Sequence, residues 1–175
     1  VVLASLLLIQ YRGSDLATTT SMLSHIAEGV DYARKHFEIL SLLLISFAVS
    51  AFAMAAVYNL SPYWVPRILH ADPFMWGVLG AFWGLGTIVS AWGLSFARDF
   101  RYKGWIFLLG MFGCSALLIA WGATRSLFWF AAIQFFMGGM FNAAMIAAAA
   151  VIQNLAPNEV RGRLMSLLSL NPAFM

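Results

Sequence analysis

Four long stretches without a single charged residue constrain this chain more than any other feature. They run over 39–60, 73–97, 104–121 and 127–153, and no Asp, Glu, Lys, Arg or His falls inside them. A helix needs about 20 apolar residues to cross the hydrocarbon core of a bilayer, so three of the stretches are long enough and 104–121 is slightly short. A charge at the centre of such a helix costs about 2.5–3.5 kcal/mol on insertion scales, so charge exclusion is what a span requires. Membrane strands would instead alternate apolar and polar residues over about 10 positions. The expected fold class is therefore an all-α polytopic membrane protein. Composition agrees: 62% of residues are hydrophobic and 10% charged, with a mean hydropathy of +0.85, whereas soluble domains are about half apolar and a quarter charged.

Partial apolar runs flank the four stretches, at 1–9 and 163–175. Both ends fall inside such runs, so the chain reads as a fragment whose N-terminal half is missing, with some functional residues outside it. No cationic segment precedes 1–9 and no small-residue cleavage site follows, so a signal peptide is not expected. The single cysteine, Cys114, allows no intrachain disulfide. The net charge of +3 comes from short basic loops without a long Lys/Arg cluster, so nucleic acid is not an expected partner.

The basic residues sort by side. Arg12, Arg34, Lys35, Arg98, Arg101, Lys103, Arg161 and Arg163 fall on one side, against Arg67 and Arg125 on the other. The positive-inside rule places the eight, with loops 10–38, 98–103 and 154–162, in the cytoplasm. The outer loops are then 61–72 and 122–126. Tryptophan prefers the membrane boundary. Trp64, Trp76, Trp121 and Trp129 fall at expected outer ends, Trp92 and Trp105 at inner ends, and Trp83 lies midway along its helix.

Within the connector 10–38, Met22, Ile26, Val30, Ala33 and Phe37 recur at helical spacing, away from His25, Glu28, Asp31, Arg34 and Lys35. This pattern predicts an amphipathic helix lying against the inner face, or else a partly ordered linker. Gly77, Gly80, Gly84 and Gly86 on one span, and Gly138, Gly139 and Ala147 to Ala150 on another, allow close helix approach, as sliding contacts or as static packing. In the turn 93–104, Arg98, Arg101 and Lys103 could bond the carbonyls ending the preceding helix, or serve only as topology anchors. In the turn 157–163, Pro157 ends one helix or starts the next, and Glu159 suits a helix N-terminus. Arg161 and Arg163 anchor the inner face, and Gly162 admits a neighbour.

Three segments carry a family resemblance. Glu28-Gly-Val-Asp-Tyr-Ala-Arg34 resembles the connector before helix seven of major facilitator proteins in the enterobactin-exporter-like, transmembrane secretion effector group. Gly77-Val-Leu-Gly-Ala-Phe-Trp-Gly-Leu-Gly86 is similar to that group's helix eight. Ile152 to Ser166, with Pro157-Asn-Glu-Val-Arg-Gly-Arg163, resembles the turn between helices ten and eleven and is the most specific of the three. The resemblance implies part of a 12-helix major facilitator fold, from the end of helix six to the start of helix eleven, with the four stretches as helices seven to ten. The 93–104 turn echoes the superfamily's Gly-x-x-x-Asp-Arg-x-Gly-Arg-Arg pattern at Gly93, Arg98 and Arg101. Ala97 replaces its Asp, Phe100 its second Gly and Tyr102 its last basic residue, so a gating salt bridge through that Asp does not carry over.

The resemblance implies a secondary transporter working by alternating access in the bacterial inner membrane, and an exporter of drug or siderophore type. Its partners would be a small-molecule substrate, membrane lipid and the missing half, with no cofactor. Polar residues within spans are the candidates for the pathway: Tyr58, Asn59, Gln134 and Asn142, joined by Trp83. Interhelical hydrogen bonding is the competing role for each. Proton coupling needs a titratable group in the membrane, which would have to lie in the missing half. An intramembrane enzyme is the rival reading, but His25, His36 and His70 lie outside the spans and no carboxylate pair, metal spacing or phosphate loop is present. A structural subunit is the third reading, opposed only by the family motifs.

Overall fold

The computed structural model describes residues 22–96 and 102–169. The expected span over 1–9, Arg12, Ala97, Arg98, Phe100, Arg101 and the end of the last run lie outside the described residues. Six helices follow one another: α1 (Met22–Lys35), α2 (Phe37–Ile68), α3 (Pro73–Phe96), α4 (Lys103–Ala123), α5 (Leu127–Leu155) and α6 (Asn158–Ser169). Among the described residues there is no strand. Four of these helices, α2 to α5, are long and apolar enough to cross a membrane.

The helices overrun the uncharged stretches at several ends. α2 continues through the segment expected as an outer loop as far as Ile68, carrying Pro62 and Pro66 inside it. Proline removes one helical hydrogen bond and kinks a helix rather than always ending it. The helix stops where His70 takes a left-handed φ of 51°. Midway, Ser50–Met54 form a single π-helical segment, which divides α2 into two arms that pack on different neighbours. The last helix begins at Asn158, not at 163, so Glu159, Arg161, Gly162 and Arg163 are helical. Pro157 stands just before it and accepts bonds from the Val160 and Arg161 N–H groups. The short third stretch extends to 21 residues, about 32 Å of helix, enough for the bilayer core.

The core is three stacked clusters, not one shell. At the end carrying Lys35, Lys103, Arg161 and Arg163, residues of α1, α2, α4, α5 and α6 meet, among them Ala33, Ile39, Phe107, Ala148, Ile152 and Leu164. The middle holds Ala53, Val57, Cys114 and Met137. The opposite end holds Val65, Leu69, Leu79, Trp121, Phe130 and Ile133. Outside this column the surface is apolar: Phe52, Phe74, Phe112, Ile119 and Phe128 are each more than 70% exposed. Water would disfavour such a surface strongly, whereas lipid tails would not.

α5 is the central helix, held between α3 and α4. Its seam with α3 is backbone on backbone. A Cβ at Gly86 would overlap the Phe135 carbonyl, and one at Gly138 would overlap the Trp83 carbonyl. On the other side, a Cβ at Gly110 would come within 2.7 Å of the Met140 carbonyl oxygen. Of the α3 glycines expected to allow close approach, Gly77, Gly80 and Gly84 take no part, since a Cβ at any of them meets nothing within 4 Å among the described residues. The close contact belongs to the face of α3 that points at α5, and Gly80 and Gly84 lie on another.

The amphipathic helix is present as α1, but its buried face differs from the expected one. Gly29 and Ala33 are buried, while Val30 is 38% and Phe37 80% exposed. The reason is its partner. α1 packs on α6, with Gly29 against Leu167 and Arg163, and Glu28 forms an ion pair with Arg163. Phe37 already belongs to α2. Tryptophan placement also differs in kind. Trp92, Trp105 and Trp129 are more than 60% exposed, as boundary residues would be. Trp121 is only 3% exposed and stacks on Trp64 at 5.7 Å, so these two rings fill the bundle end.

Candidate functional site

A cavity of about 230 Å³ opens between the second arm of α2 (Ala55–Ile68), the first half of α3 and α5. α2 contributes Val57, Tyr58 and Ser61, α3 contributes Trp76, Gly77, Gly80 and Trp83, and α5 contributes Gln134. No lining residue is charged. The register of α2 explains the wall. Val57, Ser61 and Val65 recur every fourth residue and are buried, placing one stripe toward α5. Gly77 and Gly80, three apart, leave the α3 side open, since nothing lies within 4 Å of a Cβ at either.

On two of the lining residues a buried oxygen has no hydrogen-bond partner among the described residues: Ser61 Oγ and Gln134 Oε1. Ser61 is 3% and Gln134 5% exposed. Buried polar groups without partners each cost about 1–3 kcal/mol. Trp83 reaches the cavity from α3, packs against Phe141 at 6.1 Å between ring centres and presses its backbone on Gly138. Pro62 has no N–H to offer the carbonyl of Tyr58, four residues before it.

Of the five pathway candidates, the structure brings Tyr58, Trp83 and Gln134 together and leaves two aside. Asn59 is exposed and donates to the Ala55 carbonyl of its own helix at 2.7 Å. Asn142 bridges α5 to α3, donating to Thr87 O at 3.1 Å and to Ser90 Oγ at 2.9 Å. Asn142→Leu should therefore lower stability modestly, by about 0.6 and at most about 1.7 kcal/mol, and leave transport intact. Thermal unfolding in detergent alongside a flux assay checks this. Lost flux at unchanged stability would mean that Asn142 touches the solute.

Ser61, Trp76, Gly77 and Gly80 escape a search confined to polar residues within charge-free stretches. Ser61 falls just past the end of one, and only its fourfold spacing from Val57 and Val65 marks it.

The basic end is held by specific contacts. Arg161 Nη2 donates to the Ala156 carbonyl at 3.1 Å, where a cation suits the negative end of α5, while Arg98 and Arg101, from which capping of α3 is expected, lie outside the described residues. Arg163 links α6 to α1 through Glu28. Glu159 is exposed in the first turn of α6. Among the described residues nothing lies within 4 Å of a Cβ at Gly162 or Gly93. Among the described residues no cluster of three His, Cys, Asp or Glu could hold a metal ion.

Apolar-faced helices packed through glycine seams around an uncharged cavity define a polytopic helical membrane protein. The chain belongs to the transmembrane secretion effector family of major facilitator type, which matches it over residues 2–171. It is an integral membrane protein, and the family is one of transporters. No curated protein and no solved structure matches it.

Proposed function

We propose that the protein is a secondary active exporter of small amphipathic molecules, of drug or siderophore type, working by alternating access in the bacterial inner membrane. The observation that carries this reading is the uncharged cavity that gathers Tyr58, Trp83 and Gln134 from three spanning helices. Major facilitator transporters rock two helical bundles about a site near the membrane midplane. Here α2 to α5 form part of one bundle. A second bundle, from a further stretch of polypeptide, would close over the open glycine face of α3. The end bearing Lys35, Lys103, Arg161 and Arg163 faces the cytoplasm, following the positive-inside rule. Proton coupling would draw its acid from that second bundle, because the cavity lining offers none.

Efflux tests the proposal directly. Cells expressing the full-length protein would be loaded with hydrophobic drugs or siderophores, with and without a proton uncoupler. Faster loss than in empty-vector cells is expected for at least one compound, and slowing by the uncoupler would establish proton linkage. Retention equal to the control for every compound would sink the exporter reading.

A further inference from the structure

We infer that α1 is a strap fastened to this bundle, which stays on α6 through the transport cycle and does not serve as a slack link between bundles. The inference rests on the transport reading for the motion and on the packing of α1 for the fastening. Contact begins at Gly29. A Cβ there would stand 3.2 Å from Leu167 Cδ1 and 3.4 Å from Arg163 Cβ, so the absent side chain lets α1 lie close on α6. One turn on, Ala33 is 2% exposed and shares a cluster with Ile39, Leu164 and Leu168. Tyr32 and Leu167 pack against the same cluster. Glu28 pairs with Arg163, and both side chains are partly exposed. Such a pair contributes little alone, so apolar burial carries the contact and the charges fix its register.

The far end of α1 is closed too. His36 alone separates α1 from α2. Its ring stacks on Tyr32 at 4.2 Å between centres, and its Nδ1 lies 3.0 Å from the Tyr32 carbonyl oxygen. Its own carbonyl accepts from the Leu40 N–H at 3.0 Å. A one-residue joint bonded to both helices holds them in a fixed relation. The outward face of α1 decides against a helix sunk in lipid. Asp31, Arg34 and Lys35 are exposed there, and Lys35 pairs with Asp31 at 2.6 Å. Lipid tails would strip those charges of water, so α1 rests on protein with water outside it.

A disulfide tests the fastening. The 3.4 Å between a Cβ at Gly29 and Arg163 Cβ is close to the span of about 3.5–4.5 Å that disulfides require. Gly29→Cys with Arg163→Cys should therefore cross-link under mild oxidation in the full-length protein, where Cys114 is fully buried and does not compete. Energised inside-out membrane vesicles carrying this variant would be given ethidium or doxorubicin. Accumulation would be read before oxidation, after it, and after reduction. Rates within about twofold across the three states are expected, because the bond joins parts that rock as one body. Accumulation that stops on oxidation and returns on reduction would overturn the strap and leave the transport reading standing. Failure of the bond to form would overturn the strap as well. Hydrogen exchange on the unsubstituted protein in lipid nanodiscs adds a readout that needs no transport. The amides of 32–35 should exchange within about tenfold of those of 164–168, as members of one cooperative unit do. Exchange faster by several orders of magnitude would show α1 opening on its own and would also overturn the strap. Matched exchange, with neither compound accumulated by unsubstituted vesicles, keeps α1 within this bundle and sinks the transport reading for those two compounds.

Discussion

Gly86→Ala is expected to destabilise the bundle by roughly 3 kcal/mol, the upper end of the range for overpacking. The new methyl would overlap the carbonyl oxygen of Phe135, which belongs to the backbone of α5 and cannot turn aside as a side chain would. The Gly139 N–H, at 2.9 Å from the same position, closes the neighbouring space. Relief therefore requires α3 and α5 to separate along their whole seam. That seam includes the Trp83 backbone against Gly138 and the Asn142 bridge to Thr87 and Ser90. Helices in lipid associate by close packing and interhelical hydrogen bonds, with no hydrophobic drive between them, so a lost seam is not compensated elsewhere. Alanine's better helix propensity, worth about 1 kcal/mol over glycine, offsets only part of the loss. Thermal unfolding of the purified protein should show the drop. Gly80→Ala, on the same helix with nothing within 4 Å, should leave the melting temperature unchanged or higher. An unchanged melting temperature for Gly86→Ala would mean that α3 and α5 are not packed as described.

The contrast between Gly80 and Gly86 shows how far the sequence could be read. Charge exclusion located all four spans, because the penalty for a buried charge acts on a helix whatever its neighbours. The ends were less legible. Pro62 and Pro66 resemble a loop by composition, yet α2 runs through them, because the bonds they remove are few against the burial of Ser61 and Val65 on the far side of the same turns. Which face of a span meets a partner was not legible at all. Gly77, Gly80, Gly84 and Gly86 are alike by type, but the partner backbone lies against Gly86. The two amides of α5 that face neighbouring helices show the same limit. Gln134 and Asn142 are eight residues apart on one helix and indistinguishable by type. Ser90 and the Thr87 carbonyl stand opposite Asn142 and satisfy it, while Gln134 Oε1 is left unpartnered beside the cavity. Register between helices decided their roles, and register is a property of the pair. Even the amphipathic connector followed this pattern, since its helix was legible and its buried face was chosen by α6.

Gly80→Leu should abolish most transport while the protein stays folded, and this is the largest functional effect expected. The position combines two properties seldom found together in a packed bundle. It lines the cavity, and a side chain there meets no atom within 4 Å of its first carbon. Leucine would therefore enter the space meant for solute without pushing on α2 or α5, and it favours the helix more than glycine does. In a cavity of about 230 Å³, four added carbon atoms remove a large share of the volume. A single methylene in an apolar pocket changes discrimination by about 10–200-fold, so a fall of at least about tenfold in the flux of any extruded solute is the modest end of the expectation. Two readouts keep the result interpretable. Melting temperature and detergent elution profile should match the unsubstituted protein, and flux should be lost. Flux that survives with the leucine in place would show that solute passes elsewhere, and the cavity would then be a gap between helices and not a site.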